Sequence, residues 1–174
     1  MTEQKMTEDF SVASLPEVLP ILPLFDNVVF PKMVFPMEVA GDKSIQLIDE
    51  AMAKDRFMGL VVSKKTAMET KYQPADFYGV GTSVVILRMA KSPDNKAQLL
   101  LRGIERFRIK EFIAESPYLK VKIEPLTTPE VRDIEVEALM SNLVNLFDRV
   151  VKLSPFLPQE FVTMAKSITD PGTL

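Results

Sequence analysis

Cysteine and histidine are both missing from this 174-residue sequence. Their absence excludes disulfides, thiol nucleophiles, the commonest metal ligand and the usual proton shuttle at neutral pH. No apolar run approaches the length needed to span a bilayer. The opening residues, MTEQKMTEDF, are polar and acidic, with neither the apolar stretch of a secretory leader nor an Arg-rich amphipathic pattern. Residues 1–14 therefore read as the flexible start of a cytoplasmic protein. Glycine is sparse as well. The six present include no phosphate loop closing in Gly-Lys-Ser or Gly-Lys-Thr, so no backbone cradle for ATP phosphates exists. Gly79-Val80-Gly81 is too short for a dinucleotide fingerprint and reads better as strand backbone that bends or approaches another strand. The net charge of −3 gives no global attraction to nucleic acid or anionic membrane. Ser63-Lys64 and Lys166-Ser167 set a hydroxyl beside an amine, but neighbours on a strand end or helix point apart and cannot activate one another. Asp49-Glu50, and Asp133 with Glu135 and Glu137, fall at helical positions of the kind that form solvated faces. No catalytic residue, metal or cofactor is expected.

What the chain does have is apolar residues: 47% of the total, enough for one good core and a satellite but hardly for two full domains. Its plan shows between Tyr78 and Phe112. Two long apolar runs, Val80 to Met89 and Ala97 to Phe112, face each other across Ser92-Pro93-Asp94-Asn95, whose residues suit tight turn angles. Both runs exceed a typical strand and are expected to curl into the wall of a small barrel. Leu99 and Leu101 share one phase, while Phe107 and Ile109 oppose Arg106, Arg108 and Lys110. Ile104 is out of step with Phe107, which predicts a β-bulge between Gly103 and Arg106.

Upstream, the stretch from Val18 to Val39 is strand-like but broken by Pro20, Pro23, Pro31 and Pro36, with Val18 to Leu24 and Met33 to Val39 as its candidate strands. Proline cannot donate to a ladder, so these belong on edges, at strand starts or in bulges. Asp42 is the expected N-cap of a helix whose Ile45, Leu47, Ile48, Ala51 and Met52 form a buried stripe, covering one mouth of the barrel. Phe57 to Ser63 reads as a buried strand and Lys64 to Asp76 as a polar loop. In Tyr118 to Ile123, Leu119, Val121 and Ile123 alternate with Lys120 and Lys122, so the sheet has a wet face there. Thr128-Pro129-Glu130 then signals a helix start. From Ile134 to Leu153 one stripe carries Val136, Met140, Leu143, Phe147 and Val150, and a neighbouring one Leu139, Leu146 and Leu153. Two apolar stripes call for two partners. Pro155 and Pro158 end this helix, and Gln159 to Ile168 forms a shorter one.

The order of several of these pieces resembles a known family. Leu19-Pro20-Ile21-Leu22-Pro23-Leu24, Val28-Val29-Phe30-Pro31, Pro36, the helix through Ala51-Met52, Tyr78-Gly79-Val80-Gly81-Thr82, Leu101-Arg102-Gly103 with Arg106-Phe107, Pro117-Tyr118-Leu119 and the ending from Ile168 to Gly172 look together like the N-terminal domain of ATP-dependent Lon proteases. The resemblance implies an α+β fold: a small PUA-like β-barrel with a covering helix over residues 15–126, then a helical subdomain over 127–174. In the full enzyme that subdomain leads to a helical arm, an ATPase and a Ser-Lys protease. None of these three is in the sequence, which stops after a Pro-Gly break as a domain fragment would.

Three surfaces follow as candidates. Arg106, Arg108, Lys110, Lys120 and Lys122 form a basic face, but no aromatic is interleaved to stack a base and Glu105, Glu111 and Glu124 dilute the field, so ordinary sheet solubility is the better reading. Leu100 points away from Leu99 and Leu101, and Met33, Phe35, Pro36 and Met89 fall in segments with few ladder contacts. They are the expected substrate surface, unless helices cover that face, and Met and Phe there would adapt to many unfolded sequences. Leu139, Leu146 and Leu153 are the expected oligomer interface, with burial inside the chain the alternative. The functional expectation is a non-catalytic domain of a Lon-type protease. It would recognise unfolded or damaged proteins and support a homo-oligomer, a hexamer in the full enzyme, with no nucleic-acid or membrane partner. The competing readings are a free-standing PUA-like module for RNA or a small ligand, and a purely structural oligomerisation domain. Salt separates RNA binding from apolar capture, because phosphate contacts weaken steeply with added salt.

Overall fold

The computed structural model describes residues 15–25, 27–65, 73–127 and 133–171, which fall into two compact units, Met1–Thr127 and Thr128–Leu174. The first holds six strands and one helix: β1 (Val18–Leu24), β2 (Val34–Ala40), α1 (Asp42–Ala53), β3 (Phe57–Val62), β4 (Val80–Ser92), β5 (Lys96–Ala114) and β6 (Leu119–Pro125). β1 pairs antiparallel with β6 over Val18 to Ile21, then parallel with β3 over Ile21 to Leu24. β3 pairs with β4, β4 with β5, and the C-terminal part of β5 with β6, so the run of neighbours returns to β1 and closes a ring. β2 lies outside that ring, antiparallel to the N-terminal part of β5.

The prolines are placed by this arrangement. Where Pro20 sits, β1 is in register only with β6, and where Pro23 sits, only with β3, so each lies at a local edge. β2 is the sheet's terminal strand, with Pro36 in its middle opposite Leu100. The Gly103 amide donates to the Met33 carbonyl at 2.8 Å. The alternation of antiparallel pairs then turns the Pro36 nitrogen to the free edge.

The expected bulge is present: Ser83 opposes Glu105 and Val84 opposes Gly103, leaving Ile104 as the extra residue. A second bulge, at Leu87, lies between Ile86 opposite Leu101 and Arg88 opposite Leu100. The Ser83 hydroxyl closes the first by donating to the Glu105 carbonyl at 2.8 Å.

Residues on the two faces of β3 belong to two cores. Inside the ring, Leu19, Ile21, Phe57, Val61, Val85, Phe107, Val121 and Ile123 pack together. The fully buried Phe107 ring lies over Gly59 and Gly81, where a Cβ would sit 2.8 Å from its Cζ in both cases. Burying such a side chain stabilises the fold by about 2–3 kcal/mol. On the other face, Leu47, Ile48 and Ala51 of α1 pack with Met58, Leu60, Val84, Ile86, Leu99 and Leu101. α1 thus covers the sheet from outside rather than sealing a mouth of the ring, because β3, β4 and β5 are apolar on both faces. Its N-cap is Gly41, at φ 95° and with no side-chain cap, not Asp42, which is the first helical residue. Asp42 instead accepts a hydrogen bond from Asn95 in the β4–β5 turn, where Asn95 takes φ 55°.

Most of the expected polar loop before β4 lies outside the described residues, which continue with a 3-10 turn at Pro74–Asp76. Thr82 donates its hydroxyl to the Val29 carbonyl at 2.6 Å, fixing the β1–β2 connection over the sheet. The second unit is a helix pair, α2 (Ile134–Leu153) and α3 (Glu160–Ser167). The Thr128-Pro129-Glu130 start signal lies outside the described residues. α2 begins after Asp133, which caps it by accepting the Val136 amide at 2.8 Å.

Candidate functional site

Directly opposed residues of an antiparallel pair share a face, and the register sorts the expected surface residues accordingly. Pro36, Leu100 and Arg88 form one row across β2, β5 and β4, with Val34 opposite Arg102 in the next row on the same face. Pro36 is exposed, Leu100 half-buried and Val34 56% exposed. Met33, 43% exposed, immediately precedes β2.

Phe35 and Met89 are on the other face. Phe35 opposes Leu101 and Met89 opposes Leu99, and both are half-buried against the core that α1 covers. The five residues therefore do not make a single patch. Phe35 follows from strand alternation, and Met89 from the bulge at Leu87, which resets the phase of the end of β4. Val34, Arg88 and Arg102 also belong to the exposed face, though none was among the expected surface residues; the shared phase of Val34 with Pro36, and of Arg102 with Leu100, was the available signal.

The basic face is occupied internally. Lys110 contacts Glu124 at 2.8 Å and Arg108 reaches the same carboxylate at 3.7 Å, while Lys122 faces Glu17 at 3.6 Å. Lys120 and Lys54 both donate to Oε1 of Glu50, at 2.9 and 2.8 Å. Hydrogen bonds from Lys54 and then Lys120 hold the Glu50 carboxyl below its ordinary pKa, and the Lys110 hydrogen bond does the same for Glu124. The cavity beside Glu50, lined also by Val18, Pro20 and Phe57, has a volume of about 160 Å3. Small-molecule sites commonly occupy roughly 300–1,000 Å3, so this one is undersized for such a ligand. Among the described residues no cluster of acidic side chains could hold a metal ion, and no helix is long and apolar enough to cross a membrane.

In the second unit Leu139, Leu146 and Leu153 are 61%, 55% and 84% exposed. Leu143 and Val150, assigned by periodicity to the neighbouring stripe, are exposed beside them, whereas Val136, Met140 and Phe147 are half-buried. The exposed set recurs at alternating steps of four and three residues, the spacing of a helix-packing seam. The buried residues of this helix pair are Val151 and Val162.

A protein-family model described as "ATP-dependent protease La (LON) substrate-binding domain" matches residues 18–174. The chain belongs to the Lon substrate-binding domain family. A Lon protease from Syntrophus aciditrophicus is 52% identical over 177 residues, spanning 100% of this chain and 22% of the relative. One from Desulfosudis oleivorans is 41% identical over 160 residues, spanning 92% of this chain and 20% of the relative. The chain thus spans about a fifth of the length of the curated Lon proteases it matches. Among solved structures, the N-terminal domain of a Mycobacterium avium complex Lon protease superposes with a TM-score of 0.66 at 24% identity, covering 90% of this chain and 78% of that one. At that identity the superposition speaks for the fold, and the α+β architecture of a Lon N-terminal domain is the one described above.

Proposed function

We propose that this domain is the non-catalytic part of a cytoplasmic, ATP-dependent Lon-type serine (Ser-Lys) endopeptidase, and that it holds unfolded or damaged protein for the rest of the enzyme. The observation that carries this reading is the exposed face of β2 and β5. Pro36 lies opposite Leu100 there, Val34 is exposed in the adjoining row and Met33 is exposed just before it. Side chains of this kind offer weak, sequence-tolerant apolar contacts. Phe35 of β2 and Met89 of β4 contribute from beneath, holding those strands against the core. The exposed seam of α2, with Leu139, Leu146 and Leu153, supports assembly of the homo-oligomer, a hexamer in the full enzyme. The pairing of Lys110, Lys120 and Lys122 with carboxylates favours this reading over RNA binding.

The test is an NMR titration of the domain with a labelled, permanently unfolded protein, repeated with Leu100→Ser and Pro36→Ser. Perturbed amides are expected at 33–35, 37–38 and 98–102, with weaker binding in both variants and no turnover of ATP or of the unfolded protein. Perturbations confined to Arg106, Arg108, Lys120 and Lys122, with serine variants that bind like the parent, would overturn the assignment.

A further inference from the structure

Charge on the sheet of the first unit is largely paired off at close range. Lys91 contacts Asp49 at 2.6 Å, Lys96 contacts Glu38 at 2.9 Å, and Lys110, Lys120 and Lys122 are engaged as described above. Arg88 and Arg102 depart from this pattern. Both are exposed, and their side chains make no ion pair or hydrogen bond among the described residues. They also share the face that carries Pro36 and Leu100. Arg88 is directly opposite Leu100 on β4, about 5 Å away at Cβ. Arg102 is two residues along β5 from Leu100, roughly 7 Å on the same side. The nearest acid on β2, Glu38, is already held by Lys96. Leu100 therefore has one guanidinium group beside it across β4 and another along β5, and neither has a counter-ion among the described residues.

We propose that this surface selects, among unfolded segments, those in which an apolar residue is flanked at two-residue spacing by Asp or Glu. The apolar side chain would rest on Pro36 and Leu100 while the carboxylates pair with Arg88 and Arg102. The inference deepens the substrate-holding reading above and rests on it. An extended peptide repeats its same-face side chains every two residues, about 6.6–6.8 Å, which matches the distance from Leu100 to Arg102. Guanidinium groups suit the occupant because their planar fork pairs with carboxylate in two-point geometry and is weakly hydrated. Segments rich in Lys or Arg are disfavoured by the same two charges, so the domain would discriminate by repulsion as well as by attraction.

The experiment uses three fluorescent peptides of one length with the cores Glu-Ser-Leu-Ser-Glu, Gln-Ser-Leu-Ser-Gln and Lys-Ser-Leu-Ser-Lys, and follows binding to the domain by anisotropy. The Glu peptide is expected to bind about fivefold tighter than the Gln peptide, two exposed ion pairs being worth that order, and the Lys peptide to bind weakest. The differences should shrink when salt is raised to about 1 M, where the screening length is about 3 Å. Arg88→Gln with Arg102→Gln should erase the preference among the three peptides, and Arg88→Lys with Arg102→Lys should keep the order. Equal binding of all three peptides by the parent, or a preference that survives the double Gln variant, overturns the inference. In that case a loss of all binding in Leu100→Ser would leave the substrate-holding reading standing. Failure of every peptide to bind would remove both. Displacement of the Glu peptide by inorganic polyphosphate at lower concentration than by unlabelled Glu peptide would make the surface a phosphate site and also overturn the inference.

Discussion

Gly81→Ala tests the packing argument at its tightest point. A Cβ at this position would stand 2.6 Å from the Leu60 carbonyl oxygen, 2.7 Å from Cγ2 of Val61 and 2.8 Å from Cζ of Phe107. Two of these neighbours are buried side chains and the third is backbone of the adjoining strand β3. None is the free end of a flexible group, so relief requires β3 to move against β4 by most of an ångström and Phe107 to shift as well. Overpacking of this kind costs about 1–3 kcal/mol, and the backbone contact places Gly81→Ala at the upper end, about 3 kcal/mol. For a unit of this size that lowers the melting temperature by roughly 10–15 °C. Gly79→Ala, two residues earlier, is the internal control. Nothing lies within 4 Å of a Cβ there and its backbone is outside the left-handed region. Restricting the unfolded chain should then leave it neutral or more stable by about 0.4–1 kcal/mol. Urea unfolding of the two variants beside the parent measures both. If Gly81→Ala unfolds within about 0.5 kcal/mol of Gly79→Ala, the close approach of β3, β4 and Phe107 is not the reason for glycine at this position.

Two further predictions concern charge and assembly. The Glu50, Asp76 and Glu124 carboxyls are all held below their ordinary pKa, by Lys54 and Lys120, by the Gln73 amide and Lys65, and by Lys110 and Arg108. A depressed folded-state value stabilises the fold above the ordinary carboxylate range and is lost as pH falls through the folded value. The urea midpoint should therefore hold from neutrality to about pH 5 and fall below that, less steeply in Glu50→Gln; a midpoint that rises on acidification would refute the ion-pair account. For the exposed seam of α2, Leu139→Glu with Leu146→Glu should leave thermal unfolding of the first unit within about 0.5 kcal/mol of the parent. Self-association in sedimentation velocity should fall, and loss of cooperative unfolding of the first unit would show the seam to be core instead.

The alternating patterns were legible wherever one face of an element is wet. β6 was readable because Lys120 and Lys122 alternate with Leu119 and Val121, and the Ile104 bulge because Phe107 could not share its phase. The bulge at Leu87 was not readable, since Val84 to Leu87 is apolar throughout and a phase change leaves no mark in a uniformly apolar run. That hidden shift is what separates Met89 from Leu100. The position of α1 was misread for a related reason: a strand buried on both faces, such as β3, does not say which side a helix covers. The Asp42 cap failed because Gly41 at φ 95° sets the chain's entry into the helix and leaves Asp42 one position inside it. The two arginines do not stand out in the sequence because each lies apart from the Arg106 to Lys110 cluster, and only the register shows that Arg88 and Arg102 both adjoin Leu100.

Pro36 has one more consequence, concerning what the domain is protected from. A terminal strand with a complete row of outward amides is a template on which an extended chain can add itself as a further strand, and every such addition leaves a new free edge. On the function proposed above, in which the domain holds unfolded polypeptide, that hazard would recur constantly. With the Pro36 nitrogen turned outward, the row offered by β2 lacks its central donor, and the ring projects where an incoming backbone would have to lie. An extended chain then meets an interrupted template along β2, which disfavours its addition as a further strand and its propagation as cross-β structure.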